Sequence, residues 1–165
     1  MLFERRSFIV TEKIASAESL ERRLPLCFSS AATAENLKSR RLFIATLAQF
    51  VRDFHQTGYC HRDLYLSHIF YGDGRFYLID LARAFKPALL DQRYRRKDIA
   101  QLHYSAPAAY FSRTDRLRFY FGYTGRSKLA EEDKVFIRKV ISKAKQMARH
   151  NIRHRRPVPF ECRPE

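Results

Sequence analysis

Between Gly58 and Asp80 this chain has few ways to fold. Ile69-Phe70-Tyr71, then Gly72-Asp73-Gly74, then Arg75 to Ile79 is the pattern of a β-hairpin, two aromatic-rich runs around a glycine turn. Upstream, Phe43, Leu47, Phe50, Val51 and Phe54 recur at helical spacing from an N-cap at Asn36 to a stop at Gly58. A helix that ends there delivers the chain straight into His61-Arg62-Asp63-Leu64-Tyr65-Leu66-Ser67-His68. Antiparallel strands return to their starting end, so His68 before the first strand and Asp80 after the second should be neighbours.

Two acids placed this way suit two different jobs. Asp63 on a tight loop can accept the proton of a substrate hydroxyl, and Asp80 at a strand end can hold Mg²⁺ against the phosphates of ATP. The loop and hairpin therefore read as the catalytic half of a phosphotransferase.

The rest of the sequence bounds the setting. With 165 residues, 45% hydrophobic and 14% aromatic, the chain can bury one ordinary core, and one main domain is expected. A formal charge of +15 implies an anionic partner, whether nucleic acid, lipid headgroups or a phosphorylated glycolipid. Cys27, Cys60 and Cys162 are odd in number and form no CxxC pair, which argues against a disulfide scaffold or zinc knuckle and fits a reducing cytoplasm. The early acid Glu4 and the lack of a following apolar stretch speak against a signal peptide, and the run Leu42 to Val51 is too short to span a bilayer. Ser7 to Thr11 reads as a strand leading into a polar connector, residues 81–97 as a loop, and 98–111 as a helix starting at Asp98. A long amphipathic helix follows, with Phe136, Val140, Ile141, Ala144, Met147 and Ala148 on one face and Glu131-Glu132-Asp133 at its start.

Gly58-Tyr59-Cys60-His61-Arg62-Asp63, Ile79-Asp80-Leu81-Ala82-Arg83-Ala84 and Arg96-Lys97-Asp98-Ile99-Ala100-Gln101-Leu102 together resemble the C-terminal lobe of the protein-kinase-like fold. More narrowly the chain resembles the lipopolysaccharide core kinases, the heptose and Kdo kinase family. That match rests on His68 where protein kinases have Asn, on Asp80-Leu81-Ala82-Arg83-Ala84 in place of Asp-Phe-Gly, and on Ser112 to Phe119. It covers roughly residues 7 to 156. The fold implied is α+β and mainly helical: a remnant N-lobe strand and hinge at 1–14, a kinase-like C-lobe at 15–156 and a tail at 157–165. The activity implied is phosphorylation of a sugar hydroxyl of the lipopolysaccharide inner core with ATP and Mg²⁺.

Residue by residue, the resemblance makes Asp63 the catalytic base and Asp80 a metal ligand. A surface Asp in a turn and a strand-end Asp are the bland counterparts. His68 stands where the family of protein kinases completes the metal site, yet imidazole is softer than Mg²⁺ prefers, and hydrogen bonding to Asp63 or a phosphate is an equal alternative. His61 reads as a packed core histidine holding the loop, His55 as a helix-end residue, and Arg62 as a brace. Asp98 matches the acid that accepts backbone N–H bonds from the catalytic loop, a supporting role. Val10 to Ile14 resembles the hinge that binds adenine, with Glu12 and Ile14 as its contacts.

The sequence departs from the family upstream. A glycine-rich phosphate cover, the strand lysine and the helix glutamate that holds it have no counterpart before the hinge. A truncated product, a half enzyme completed by a separate chain and a reduced binding relative all fit. Between Lys134 and Arg156 stand nine Lys or Arg and no acid, a basic stripe suited to an anionic glycolipid at a membrane surface. Nucleic acid is the less favoured partner, since no RNP or zinc-finger motif accompanies the stripe. The rival to a kinase is a non-catalytic basic module binding anionic glycolipid, membrane or RNA; an antibiotic-kinase type of small-molecule phosphotransferase shares the loop chemistry but less of 112–119.

Overall fold

The structure, a computed structural model, describes residues 13–28, 33–89 and 91–155. The expected strand Ser7–Thr11, Glu12 of the expected hinge and the 157–165 tail lie outside the described residues. A short strand β1 (Glu18–Ser19) leads into α1 (Leu20–Phe28) and α2 (Ala34–Gln56), and the hairpin strands β2 (Ile69–Gly72) and β3 (Arg75–Leu78) follow the loop. Three more helices complete the chain: α3 (Asp91–Ser105), α4 (Arg113–Thr124) and α5 (Glu131–Arg153). The result is a predominantly helical α+β unit with one three-stranded antiparallel sheet in the order β1-β2-β3.

The hairpin forms as its pattern dictates. Ile69 pairs with Leu78, Phe70 with Tyr77, Tyr71 with Phe76 and Gly72 with Arg75. Both turn residues, Asp73 and Gly74, have positive φ (49° and 74°), the twist that joins two right-twisted strands without splaying them. Gly72 is fixed by crowding, since a Cβ there would lie 2.7 Å from the backbone of Ala17. That approach lets β1 lie alongside β2, with Glu18 opposite Tyr71.

Helix α2 buries Ile44, Leu47, Ala48, Val51 and His55, an i, i+3, i+4, i+7, i+11 stripe. It packs closely on α4, where a Cβ on Gly122 would meet the Ala48 Cβ at 2.9 Å. The main core joins Leu20 and Leu24 of α1, Ile44, Leu47 and Val51 of α2, Leu64, Leu66 and Ile69 around the loop, and Ile99 and Leu102 of α3. Each large side chain buried this fully contributes about 1.5–3 kcal/mol. Leu64 and Leu66, each 1% exposed, anchor the loop to that core and leave Asp63 at its edge.

Several boundaries differ from the sequence expectation. Helix α3 begins at Asp91, seven residues before Asp98, because the stretch read as loop is rich in good helix formers and Asp91 pairs with Arg95 one turn on. It stops at Ser105 rather than 111, short of Pro107. Thr33, not Asn36, caps α2: its Oγ1 accepts the Asn36 N–H at 3.2 Å. Helix α1, expected as connector, exists because Leu20 and Leu24 bury one face even though Pro25 sits inside it. Helix α4 was not anticipated; its start is a reciprocal cap in which Ser112 Oγ accepts the Asp115 N–H and Asp115 accepts the Ser112 N–H. At the start of α5, the Asp133 carboxylate accepts the Ala130 N–H, the Tyr120 hydroxyl and the Arg126 guanidinium, which hold its pKa down to about 2. No helix among the described residues is long and apolar enough to cross a membrane.

Candidate active site

The loop from His61 to His68 is held from beneath by one polar face of α3. Asp98, Gln101 and Ser105 are all buried and stand at i, i+3 and i+7, so they line up along the helix. Asp98 accepts the backbone N–H of His61 at 2.7 Å and of Arg62 at 2.8 Å. Gln101 Oε1 accepts the Leu64 N–H at 3.2 Å, and Ser105 Oγ accepts the Leu66 N–H at 3.0 Å. Four loop donors that would otherwise be orphaned are thus satisfied by three side chains of one helix.

The same face also holds a carbonyl. Gln101 Nε2 donates to the Arg62 carbonyl at 2.7 Å and Lys97 Nζ donates to it at 2.9 Å. Arg62 is thereby kept in the left-handed region at φ 71°, unusual for a non-glycine residue. Its guanidinium lies 5.3 Å from the centre of the Phe85 ring, a stacking contact to the segment after Asp80. Cys60 and Phe85 exchange both backbone hydrogen bonds, at 2.9 and 3.1 Å, which ties the start of the loop to that segment.

Asp63 stands at the mouth of this loop. Its Oδ2 lies 2.9 Å from Arg83 Nη1, its Oδ1 receives the same nitrogen at 3.2 Å, and Gln101 Nε2 reaches Oδ1 at 3.4 Å. His68 links the two acids. Its Nδ1–H donates to the Asp63 carbonyl at 2.8 Å, which leaves the lone pair on Nε2, and that atom lies 4.0 Å from Asp80 Oδ2. The hairpin produces this meeting, with the Ile79 N–H bonded to the His68 carbonyl at 3.1 Å. Asp80 itself has φ 55° and ψ 54°, a second left-handed non-glycine residue at the site, and its side chain is 56% exposed. An open carboxylate beside an imidazole lone pair can take a cation, with Asp80 supplying the oxygen that Mg²⁺ prefers.

The remaining histidines are placed differently. His61 is fully buried, donates from Nε2 to the Ile79 carbonyl at 3.0 Å and stacks on His68 with ring centres 6.0 Å apart. His55 lies in the last turn of α2, the helix-end position expected, and is buried there: it is 1% exposed, with Nδ1 2.8 Å from the Tyr123 hydroxyl and Nε2 3.2 Å from Asp98. Its spacing from Ile44, Leu47, Ala48 and Val51 puts it on the buried stripe of α2. His55, Cys60 and Asp98 bring ligand atoms within 4.8 Å of one another. They do not suit a metal, because both Asp98 oxygens are taken by loop N–H groups and burial near Asp98 and Asp91 pushes the Cys60 thiol up to about 12. Ile14 is half-buried at the start of the described chain.

Sequence reasoning missed Gln101, Ser105, Lys97 and Arg83. The signal available was the spacing of Asp98, Gln101 and Ser105, three polar residues on one face of what proves to be a longer helix. Also missed was a cleft of about 320 Å³ whose lining includes Glu18, Ser19, Glu21, Arg22, Ser67 and Phe70. Ser67 and Phe70, which flank His68 and Ile69 in the chain, form one side of it, and its wall holds an aromatic ring, small side chains, two acids and an arginine.

Comparison with known proteins gives a consistent result. Residues 1–123 match the family model described as lipopolysaccharide kinase (Kdo/WaaP) family, a span that ends in α4 and leaves α5 outside it. The chain is similar to the lipopolysaccharide core heptose(I) kinase WaaP of Escherichia coli strain K12, 33% identical over 142 residues, covering 79% of this chain and 52% of that protein. The Pseudomonas aeruginosa PAO1 protein of the same name is 34% identical over 130 residues, covering 73% of this chain and 47% of its own length. Among solved structures, WaaP in complex with acyl carrier protein superposes with a TM-score of 0.67 at 26% identity, over 82% of this chain and 59% of that one. The chain therefore spans about half the length of the curated relatives it matches.

Proposed function

The chain belongs to the lipopolysaccharide kinase (Kdo/WaaP) family, and from that premise we propose that it carries the catalytic half of a kinase that moves the γ-phosphoryl group of ATP to a sugar hydroxyl of the lipopolysaccharide inner core. The observation that supports this most is the position of His68, bonded to the backbone of Asp63 on one side and facing Asp80 on the other. One loop and one hairpin thus set a proton acceptor and a cation-binding carboxylate at the same mouth. The units proposed are a kinase-like C-lobe over residues 15–156, with 1–14 as the remnant of an N-lobe strand and hinge and 157–165 as a tail.

Asp63 is the general base that orients the acceptor hydroxyl and takes its proton as the oxygen attacks phosphorus. Arg83 and Gln101 hold its carboxylate in place, and the α3 hydrogen bonds fix the backbone that carries it. Bound at Asp80 with His68, Mg²⁺ would neutralise phosphate charge during transfer. The cleft between Phe70, Ser67 and the β1 region is the proposed seat of the nucleoside, with Glu12 and Ile14 as backbone contacts to the base. The acceptor is placed at the cytoplasmic face of a membrane, where the basic α5 stripe would meet anionic glycolipid. In kinases of this fold a glycine-rich cover and a strand lysine complete the phosphate site.

Thermal denaturation tests the nucleotide part directly. Mg-ATP should raise the melting temperature, Mg²⁺ alone should not, and Asp80→Asn should remove the shift. A chain that responds to Mg²⁺ alone or to neither is instead the basic module, for which the α5 charge is the supporting feature.

A further inference from the structure

We propose that the groove between α3 and α5 is a binding site for a phosphorylated sugar, the unit of the acceptor next to the one that reacts. The inference deepens the kinase reading and rests on it. The groove is open to solvent and offers about 530 Å³ beside Arg93, Arg96 and Lys97 of α3 and Lys139 and Lys143 of α5, with no acid in its wall; Lys143 Nζ donates to the neutral Gln146 Oε1 at 2.9 Å. That is room for a sugar phosphate rather than a single small ion.

The charge arrangement runs against stability of the empty fold. Arg93 and Lys97 are i, i+4 neighbours on α3, and Lys139 and Lys143 are i, i+4 neighbours on α5, so each helix carries a repelling pair. Packing the two helices together then sets the pairs facing one another. Among the described residues no carboxylate pairs with Arg93, Arg96, Lys139 or Lys143; the α3 acids are committed elsewhere, Asp91 to Arg95 and Asp98 to the loop. A ligand bearing phosphate relieves this repulsion, and two arginine forks with lysines on the opposite wall are a donor set matched to phosphate oxygens.

The position of the groove gives it a role in the reaction. Lys97 lines it and also donates to the Arg62 carbonyl at 2.9 Å, the residue before Asp63, while burial lowers the Lys97 pKa. One turn further along α3, Gln101 touches the Asp63 carboxylate. A phosphate seated between the helices would hold its sugar beside the base, and the next sugar would present its hydroxyl to Asp63. The site selects acceptors that are already phosphorylated.

Isothermal titration of the purified chain with glucose 1,6-bisphosphate, with glucose as the uncharged control, tests this. Binding of the bisphosphate and not of glucose is expected. Lys139→Gln with Lys143→Gln should weaken it by about tenfold or more, since each cation removed near phosphate weakens attraction severalfold. The pair Lys38→Gln with Arg41→Gln on α2 removes the same charge away from the groove and should change it by less than about twofold. Equal weakening by both pairs would overturn the site, as would binding confined to phosphatidate vesicles or to duplex RNA, or no binding of the bisphosphate. Phosphate transfer is measured separately, with the chain supplied with the N-terminal half of a Kdo/WaaP-family kinase: groove binding without any transfer in that mixture would refute the kinase reading and leave the site standing.

Discussion

Asp98 holds Arg62 in a left-handed turn: its carboxylate accepts the Arg62 N–H at 2.8 Å while neighbouring residues of α3 bind the carbonyl of the same residue. A helix side chain thereby sets the backbone conformation one residue before the proposed base. The acid is fully buried, so removing it strands two loop donors and the His55 ring nitrogen together.

Asp98→Ala should destabilise the chain more than Asp63→Asn does. Each unpaired buried donor costs about 1–3 kcal/mol, whereas Asp63 lies at the edge and its amide replacement keeps the shape. Urea midpoints of the two variants measure the difference, and equal midpoints would reduce Asp98 to an ordinary helix acid.

His68→Ala should raise the Mg²⁺ concentration needed for the Mg-ATP stabilisation by about tenfold, because the residue both braces Asp63 and faces Asp80. His68→Asn restores an oxygen at that place and should recover most of the affinity. Identical Mg²⁺ titrations for all three proteins would show that His68 has no part in the cation site.

His103 gives the fold a pH dependence. Burial and the adjacent Arg116 guanidinium lower its pKa to about 4, from 6.5 when the group is free. The unfolded chain then binds more protons between those values, so this residue makes stability rise with pH from about 4 to 6.5, by roughly 1–2 kcal/mol once solvent at its open edge is allowed for. Denaturant midpoints across that window check it, and His103→Phe should flatten the slope.

How legible the site was depended on what each residue's signal competes with. The hairpin, the loop and the neighbourhood of His68 and Asp80 followed from glycine turns and aromatic runs, which few other structures share. The supports of the loop were hidden because α3 turns Asp98, Gln101 and Ser105 inward, so the helix shows no apolar stripe over its first two turns and its basic outer face reads as loop. His55 stands at the helix end as expected, but its burial there was not legible, because Tyr123 and Asp98 reach it from distant parts of the chain. Arg83 left no trace, since its meeting with Asp63 depends on how the segment after β3 folds back.

The 165-residue chain assayed by itself should turn over ATP negligibly. No glycine precedes Gly58 in this sequence, so on the proposed reading the triphosphate lacks the backbone donors of a glycine-rich cover that would hold it for transfer. Robust turnover of Mg-ATP with rough-type lipopolysaccharide by this chain alone would show that the missing elements are replaced within it.

The most direct measurement is transfer of radiolabelled γ-phosphate to isolated core glycolipid by this chain supplied with the N-terminal half of a Kdo/WaaP-family kinase, wild type against Asp63→Asn. Labelling by the wild type and a loss of about 10²–10⁴-fold in the variant are expected for a residue that takes the hydroxyl proton. Equal labelling by the two proteins, or none above background from the wild type, would contradict the assignment of Asp63 as the base of a sugar kinase.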